Sequence, residues 1–328
     1  MTRRIALLYG GASSEHDVSV MGYEYVSRLL ANAEYDVLLI YVSKGGDWFI
    51  DRDGKHSEVY LTRKGLNTGS GVIQIDCAIP LLHGEGGEDG SIQGVLEYAG
   101  IPYVGADVST SVLCLDKSYA KAVADSLGIP TVKGIVPRKN EEPKKALTDC
   151  RGILDFPVFI KPRRLGSSVG ASPAQNEDDF LRVYKAASDA GDGLVMIESC
   201  LAKKRELECA FVEMNGERIV TPPGEVLIDG FYGYGEKYGG KTRTETHPKI
   251  DTGVRETVIN YARRLADAFL LRHLGRIDFF LVGSTVFFNE INTFPGFTSE
   301  SLYPKLIQEY VAEPKDVLLS FIKDALSW

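Results

Sequence analysis

The sequence predicts an α/β fold, with a doubly wound parallel sheet at its N-terminus and α+β units behind it. Three observations lead there. Short apolar, β-type runs at residues 5–9, 35–42 and 76–82 alternate with Gly-rich turns and a helical stretch, the signature of βαβ units and a parallel sheet. Strands at 156–161, 194–198 and 208–212 then surround a polar-faced helix at 177–187. Near the C-terminus, 275–282 and 285–291 read as a hairpin around Gly283-Ser284, and a loop at 292–301 leads into helices.

The elements follow one another for local reasons. The first strand ends at Gly10-Gly11, and Ser14-Glu15-His16-Asp17 resembles a capping box with Asp in the Glu position. A helix is predicted from there to about residue 30. Strand 76–82 ends at His83-Gly84. Ligands of a doubly wound sheet sit at the carboxyl ends of its strands, where these Gly-rich loops lie. A helical stretch spans 110–127. The charged segment 138–145 (RKNEEPKK) contains a Pro and reads as an exposed connection. Residues 229–248 are rich in Gly, Tyr and Thr with no clear period, and a long loop of that kind in a compact domain is functional or disordered. A helix follows at 252–271.

Composition narrows the function classes. At roughly 100–200 residues per domain, 328 residues make two or three domains. Hydrophobic residues at 44% and charged residues at 25% are the mix of a soluble globular protein. A net charge of -8 and a pI near 5.3 offer no basic face, so no nucleic-acid partner is expected. No stretch approaches the ~18 apolar residues of a membrane span. The N-terminus lacks a signal peptide's apolar core and cleavage site. Cys77, Cys114, Cys150, Cys200 and Cys209 are odd in number and irregularly spaced. They read as reduced packing residues, and the protein as cytoplasmic with no membrane partner.

Four constellations have residues suited to chemistry. Arg276 and Asp278 share one face of a strand, and Glu290 and Asn292 share one face of the next. Paired as a hairpin, they converge two acids and an amide beside a cation, an oxygen set suited to Mg²⁺. A solvated polar face is the plainer reading, which the flanking Phe279, Phe280, Phe287 and Phe288 oppose. Second, Lys161 ends a strand and precedes a loop with Gly166, Ser167, Ser168 and Gly170, whose amides could cradle phosphate. It is not a Walker A loop, and a basic turn is the alternative. Third, His83-Gly84-Glu85-Gly86-Gly87-Glu88-Asp89-Gly90 concentrates glycines after a strand, as backbone of unusual dihedrals or close ligand approach requires. His83 reads either as a structural residue or, at a strand's carboxyl end in a Gly-rich turn, as a functional one. Fourth, a helix N-terminus beside Glu15 suits a zwitterion, the amides favouring its anion and Glu15 its ammonium. Capping alone explains Ser14 and Asp17, not the two glycines.

Taken in order, these segments resemble the D-alanine–D-alanine ligase family of the ATP-grasp superfamily. The matching pieces are GGASSEHDVSV (10–20), LLHGEGGEDGSIQG (81–94), LDK (115–117), FIKPRRLGSSVG (159–170), EKY (236–238), GRID (275–278) and NEINTFPGFTSESLYPKL (289–306). The resemblance implies an N-terminal substrate-binding α/β domain (1–113), a central ATP-grasp subdomain (114–208) and a C-terminal ATP-grasp domain with an ω-type loop and the metal site (209–328). ATP would lie between two antiparallel sheets. Lys117 and Lys161 would contact its phosphates, Glu198 and Leu201 the adenine edge, and Glu206 the ribose. Ser168, Phe231, Lys237 and Phe280 would complete the nucleotide set. Asp278, Glu290 and Asn292 would hold two Mg²⁺ (or Mn²⁺) ions. Arg276 and the Gly296 N–H would stabilise the oxyanion. Glu15 would take the first substrate's ammonium, with His83, Ser301 and Leu302 also lining the substrate site. Ser167 and Tyr238 would link the ω-type loop to the N-terminal domain on closure. A homodimer and a role in peptidoglycan precursor synthesis are implied too.

The implied reaction phosphorylates the carboxylate of one D-alanine. The amine of a second attacks the acyl phosphate, and phosphate leaves. Phosphoryl transfer of this kind needs charge neutralisation and alignment, and each oxyanion donor is worth ~2.7–4 kcal/mol. The acyl phosphate must be shielded from water, and loop 229–248 is the candidate lid. The chain departs from the family pattern in places. The loop is more Gly-rich and basic than usual. Tyr238 stands where depsipeptide-forming members resemble one another in using histidine, which favours an amine over D-lactate. Leu302 stands where D-serine users tend to carry arginine, which favours D-alanine at the second site by the ~1–3 kcal/mol that one methyl-sized difference supplies. The hinge 198–201 differs mainly at side chains whose backbone would make the contact. Two alternatives stay open: a ligase of another D-amino-acid dipeptide such as D-alanyl-D-serine, and a non-catalytic nucleotide binder. The intact set Asp278, Glu290 and Asn292 speaks against the second.

Overall fold

The computed structural model describes residues 2–52, 55–227 and 243–327. It contains three sheets. The first has its parallel part at β1 (Arg4–Gly10), β2 (Asp36–Val42) and β7 (Cys77–Leu82), with β1 central and both neighbours parallel to it. Helix α1 (His16–Leu30) buries Val26 and Leu30 on the Ile5 and Leu7 face of β1. Helix α2 (Ser91–Ala99) buries Ile92 and Leu96 on the opposite face, with Ala6 and Leu8. Covered on both faces, β7 is apolar throughout, CAIPLL, as buried parallel strands are.

The sheet is longer than the sequence suggests. Strands β3 (Trp48–Arg52), β4 (Lys55–Thr62), β5 (Gly65–Asn67) and β6 (Val72–Gln74) extend it beyond β2 as an antiparallel meander. Their mixed polar sequence hides them, because edge strands with one open face lack a continuous apolar run.

Two helices, α3 (Val108–Leu115) and α4 (Lys117–Ser126), replace the single stretch predicted at 110–127. Asp116 separates them. Its extended backbone ends α3, and its carboxylate accepts from Ser118 N–H to cap α4. The central sheet, in the order β10 (Ser172–Ala174), β9 (Val158–Pro162), β11 (Val195–Ser199) and β8 (Gly134–Ile135), is antiparallel. It is backed by α5 (Pro143–Arg151) and α6 (Glu177–Ala190). The Pro of the charged segment 138–145 opens α5 at its first position, where a missing N–H costs nothing, so that segment is not all connection.

The third sheet runs β15 (Arg243–Glu245), β14 (Gly224–Leu227), β12 (Arg205–Met214), β16 (Leu274–Val282), β17 (Thr285–Asn292), with β13 (Glu217–Val220) also on β12. Helix α7 (Thr252–Ala268) packs on one face with Phe279 and Phe288. Helices α8 (Leu302–Tyr310) and α9 (Pro314–Ala325) join β12, β1 and α1 in one core, tying the C-terminus to the N-terminal sheet. All five cysteines are free, four of them buried and Cys200 partly so. Among the described residues no helix is long and apolar enough to cross a membrane.

Candidate active site

Two adjoining cavities lie where the three sheets meet. The first is a cleft between β9 with its following loop and the β12–β16–β17 face, lined by Lys117, Lys161, Ser168, Glu206, Phe280 and Glu290 among others. The LDK segment is set there by Asp116. Besides capping α4, its buried carboxylate accepts from Arg163 at 2.7 and 3.0 Å and from Arg164 at 2.9 Å. The start of α4 is thereby fastened to the loop after β9. Lys117 Nζ donates to Leu165 O at 2.8 Å and sits 3.1 Å from Glu290. Ser167 and Ser168 adopt positive φ (51° and 58°), a conformation that L residues hold only when their surroundings impose it.

Lys161 is buried, with Nζ 2.7 Å from Glu198 and 3.5 Å from Asn289 Oδ1. Burial, reinforced by Lys121 and Lys117, lowers its pKa to about 8 despite Glu198. Glu198 also meets Lys121. Burial alone would raise its pKa, but the two lysines outweigh that and hold it at about 2.

The hairpin sets the acid face. Arg276 pairs with Asn292 and Asp278 with Glu290 before a bulge between Asp278 and Phe279. Across the other edge Glu208 is opposite Asp278. Arg276 donates to both oxygens of Asp278 at 2.8 and 2.7 Å and lies 3.3 Å from Glu208. Asn292 Nδ2 is 3.1 Å from Asp278. Among the described residues no three His, Cys, Asp or Glu side chains form a metal cage. The donor set is two carboxylates and an amide, which fits Mg²⁺, an ion usually held by one or two carboxylates plus substrate phosphates and water.

The second cavity is lined by Glu15, His83, Glu88, Ser167, Arg276, Gly296, Ser301 and Leu302, among others. It shares Ser167, Glu208, Val226 and Arg276 with the first. Glu15 occupies the N-cap of α1, yet its side chain makes no capping bond. The predicted capping box is therefore not formed; the Glu15 carboxylate instead accepts from Ser167 Oγ in the loop after β9. Gly84 and Gly166 explain themselves here, since a Cβ at either would lie within 3 Å of Glu15 Oε2. His83 is buried, its Nε2 has no hydrogen-bond partner among the described residues, and burial lowers its pKa. Glu88 accepts from Gly84 N–H at 2.9 Å and Phe294 N–H at 3.1 Å. Burial, then the charge of Glu15, push it up to about 7.

Family models for the D-ala D-ala ligase N-terminus and C-terminus match residues 4–106 and 123–323. The chain belongs to the D-alanine–D-alanine ligase family. It is 36% identical to the D-alanine–D-alanine ligase of Caldicellulosiruptor bescii, covering 93% of this chain and 90% of that one. It is 35% identical to that of Enterococcus hirae, covering 98% and 95%. Among solved structures, D-alanyl-alanine synthetase A of Vibrio cholerae superposes with a TM-score of 0.90 at 34% identity, covering 100% and 99%. The VanG D-Ala:D-Ser ligase of Enterococcus faecalis does so with 0.89 at 28%, covering 99% and 100%.

Of the residues named from the family resemblance, Lys117, Lys161, Ser167, Ser168, Glu206, Phe280, Arg276, Asp278 and Glu290 border the first cavity or its shared wall. Glu15, His83, Asn292, Gly296, Ser301 and Leu302 border the second. Glu198 and Leu201 are not among the residues lining the first cleft. The Glu198 carboxylate is spent on two lysines, so only its backbone is left for an adenine. Leu302 is 4% exposed and also part of the core, against Gly224. Phe231, Lys237 and Tyr238 lie outside the described residues. The sequence reading passed over Glu88, Glu208 and Lys121. Weak signals existed: Glu208 shares the strand face of Glu206, and Lys121 is one helical turn from Lys117.

Proposed function

We propose that this ligase joins two D-alanines at the expense of ATP through an acyl phosphate, supplying a peptidoglycan precursor. The observation that supports it best is the shared wall of the two cavities. Arg276 and Ser167 border both, so a phosphate in the first and a carboxylate beside Glu15 in the second would meet there. On this reading Lys117 and Lys161 exchange their carboxylate partners for phosphate oxygens. Asp278, Glu290 and Asn292 would hold Mg²⁺, which when bound offsets phosphate charge. Glu15 orients the first D-alanine's ammonium while Ser167 fixes the Glu15 carboxylate. Arg276 and the Gly296 N–H stabilise the oxyanion as the second amine attacks. His83, Ser301 and Leu302 shape the substrate cavity.

The domain limits belong to the same reading, with one adjustment. A break at 208/209 would cut β12, so the central part is better ended before Arg205. A homodimer in the cytoplasm is proposed with it. The test is phosphate release from ATP with Mg²⁺ and D-alanine, products identified by mass. Phosphate release with D-alanyl-D-alanine as the main product supports the reading. A mixed dipeptide on addition of D-serine would overturn the role given to Leu302. No D-amino-acid-dependent turnover would overturn the whole.

A further inference from the structure

Three lysines line the nucleotide cleft and each rests on a carboxylate, Lys204 on Glu206 and the two assigned to phosphate on partners of their own. Lys117 is on Glu290, and Lys161 is on Glu198, 2.7 Å away. The two parking places differ. Glu290 is partly open, with its side chain 19% exposed, whereas the Glu198 side chain is 3% exposed. If Lys161 turns to a phosphate, a carboxylate is left behind in the protein interior, where an unpaired charge is strongly disfavoured. Glu198 has a second cation. Lys121, 4% exposed and one turn along α4 from Lys117, meets the other carboxylate oxygen. Lys121 does not line the cleft, whereas Lys161 does.

We propose that Lys121 is the standing counter-ion of Glu198, and that by staying there it releases Lys161 to the nucleotide phosphates. Lys121 is thus a positioning residue that acts through Glu198 and Lys161 without touching the ligand. The geometry divides the labour: one oxygen of Glu198 is held permanently from α4, and the other is held only until phosphate competes for Lys161. Burial and the neighbouring lysines already lower Lys161's pKa, so exchanging a half-shared carboxylate for a polyphosphate favours its charged form. This inference rests on the reading that Lys161 contacts phosphate, and the experiment separates the two.

Calorimetric titration of the whole protein with Mg²⁺–AMP-PNP, and separately with adenosine, provides the test. Lys161→Met is the control for the underlying reading and should weaken AMP-PNP. Lys121→Met leaves Lys161 as the one cation that Glu198 retains among the described residues, and AMP-PNP should bind on the order of 10-fold to 100-fold more weakly, with adenosine little changed. Lys121→Arg should bind both as the parent does. Lys121→Met with Glu198→Gln removes both charges and should restore AMP-PNP affinity to within about threefold of the parent. If Lys121→Met does not fold, Lys121→Gln makes the same comparison. A loss that is equal for adenosine and AMP-PNP, or that Glu198→Gln does not rescue, would overturn the proposal while leaving Lys161's role intact. No effect of Lys161→Met on AMP-PNP would remove the reading beneath it.

Discussion

Glu88→Gln tests the electrostatics of the substrate cavity with a stability measurement alone. Glu88 is 8% exposed and bridges Gly84 N–H to Phe294 N–H, joining the Gly-rich turn after β7 to the loop after β17. Its pKa is raised from 4.5 to about 7, by burial first and by Glu15 second. A carboxyl whose folded pKa lies above its unfolded one stabilises fully below the unfolded value and loses that contribution as pH rises through the folded value. That rise corresponds to about 3 kcal/mol. Most of it, roughly 2–3 kcal/mol, is lost between pH 5 and 8. Glutamine does not titrate, so the variant escapes this loss. It has its own constant cost, since its amide nitrogen cannot accept and one of the two backbone N–H groups is orphaned, about 1–3 kcal/mol at any pH. Glu88→Gln should therefore be less stable than the parent at pH 5 and close to it, or more stable, at pH 8. Urea midpoints across that range, converted with the common slope, give the difference directly. Parallel stability profiles for the two proteins would refute the argument.

Asp278→Asn should lower ADP formation on the order of 100-fold while AMP-PNP binding survives, read by coupled assay and by calorimetry; equal loss of both would recast Asp278 as a nucleotide-binding residue. Lys161 titrates near 8 and must be protonated to hold phosphate, so KM for ATP should be flat below that pH and rise above it. An unchanged KM up to pH 9 would contradict this. Leu302→Ala should lower stability by about 2–5 kcal/mol, measured by chemical denaturation, because the side chain is core as well as cavity wall; a stable variant with altered second-substrate preference would make it a specificity residue only.

Much of the architecture was legible in the chain itself. The hairpin of β16 and β17 turns on two residues, and alternation alone puts Arg276 with Asp278 on one strand and Glu290 with Asn292 on the next; but uninterrupted pairing from Val282–Thr285 would set Asp278 opposite Asn289, and it is the bulge between Asp278 and Phe279 that brings the two pairs onto one face. The Gly-rich loops likewise announced a close approach, and a Cβ at Gly84 or Gly166 would push the Glu15 carboxylate from its place. The meander β3–β6 was not legible, because a half-open antiparallel edge carries no sustained apolar pattern. Nor was the start of α1, where Ser13 and Glu15 form bonds to the distant His83 carbonyl and Ser167 instead of a local cap. Glu88 was illegible, and Glu208 and Lys121 only weakly marked, for a related reason. A charged residue has the same spelling on a solvated face and in an interior. Only the packing of β11 against β9 and α4 puts Lys121 and Lys161 on one buried carboxylate. What local periodicity could specify, the sequence alone determined; which charges are stripped of water, and which partners compensate them, was decided where the three sheets meet.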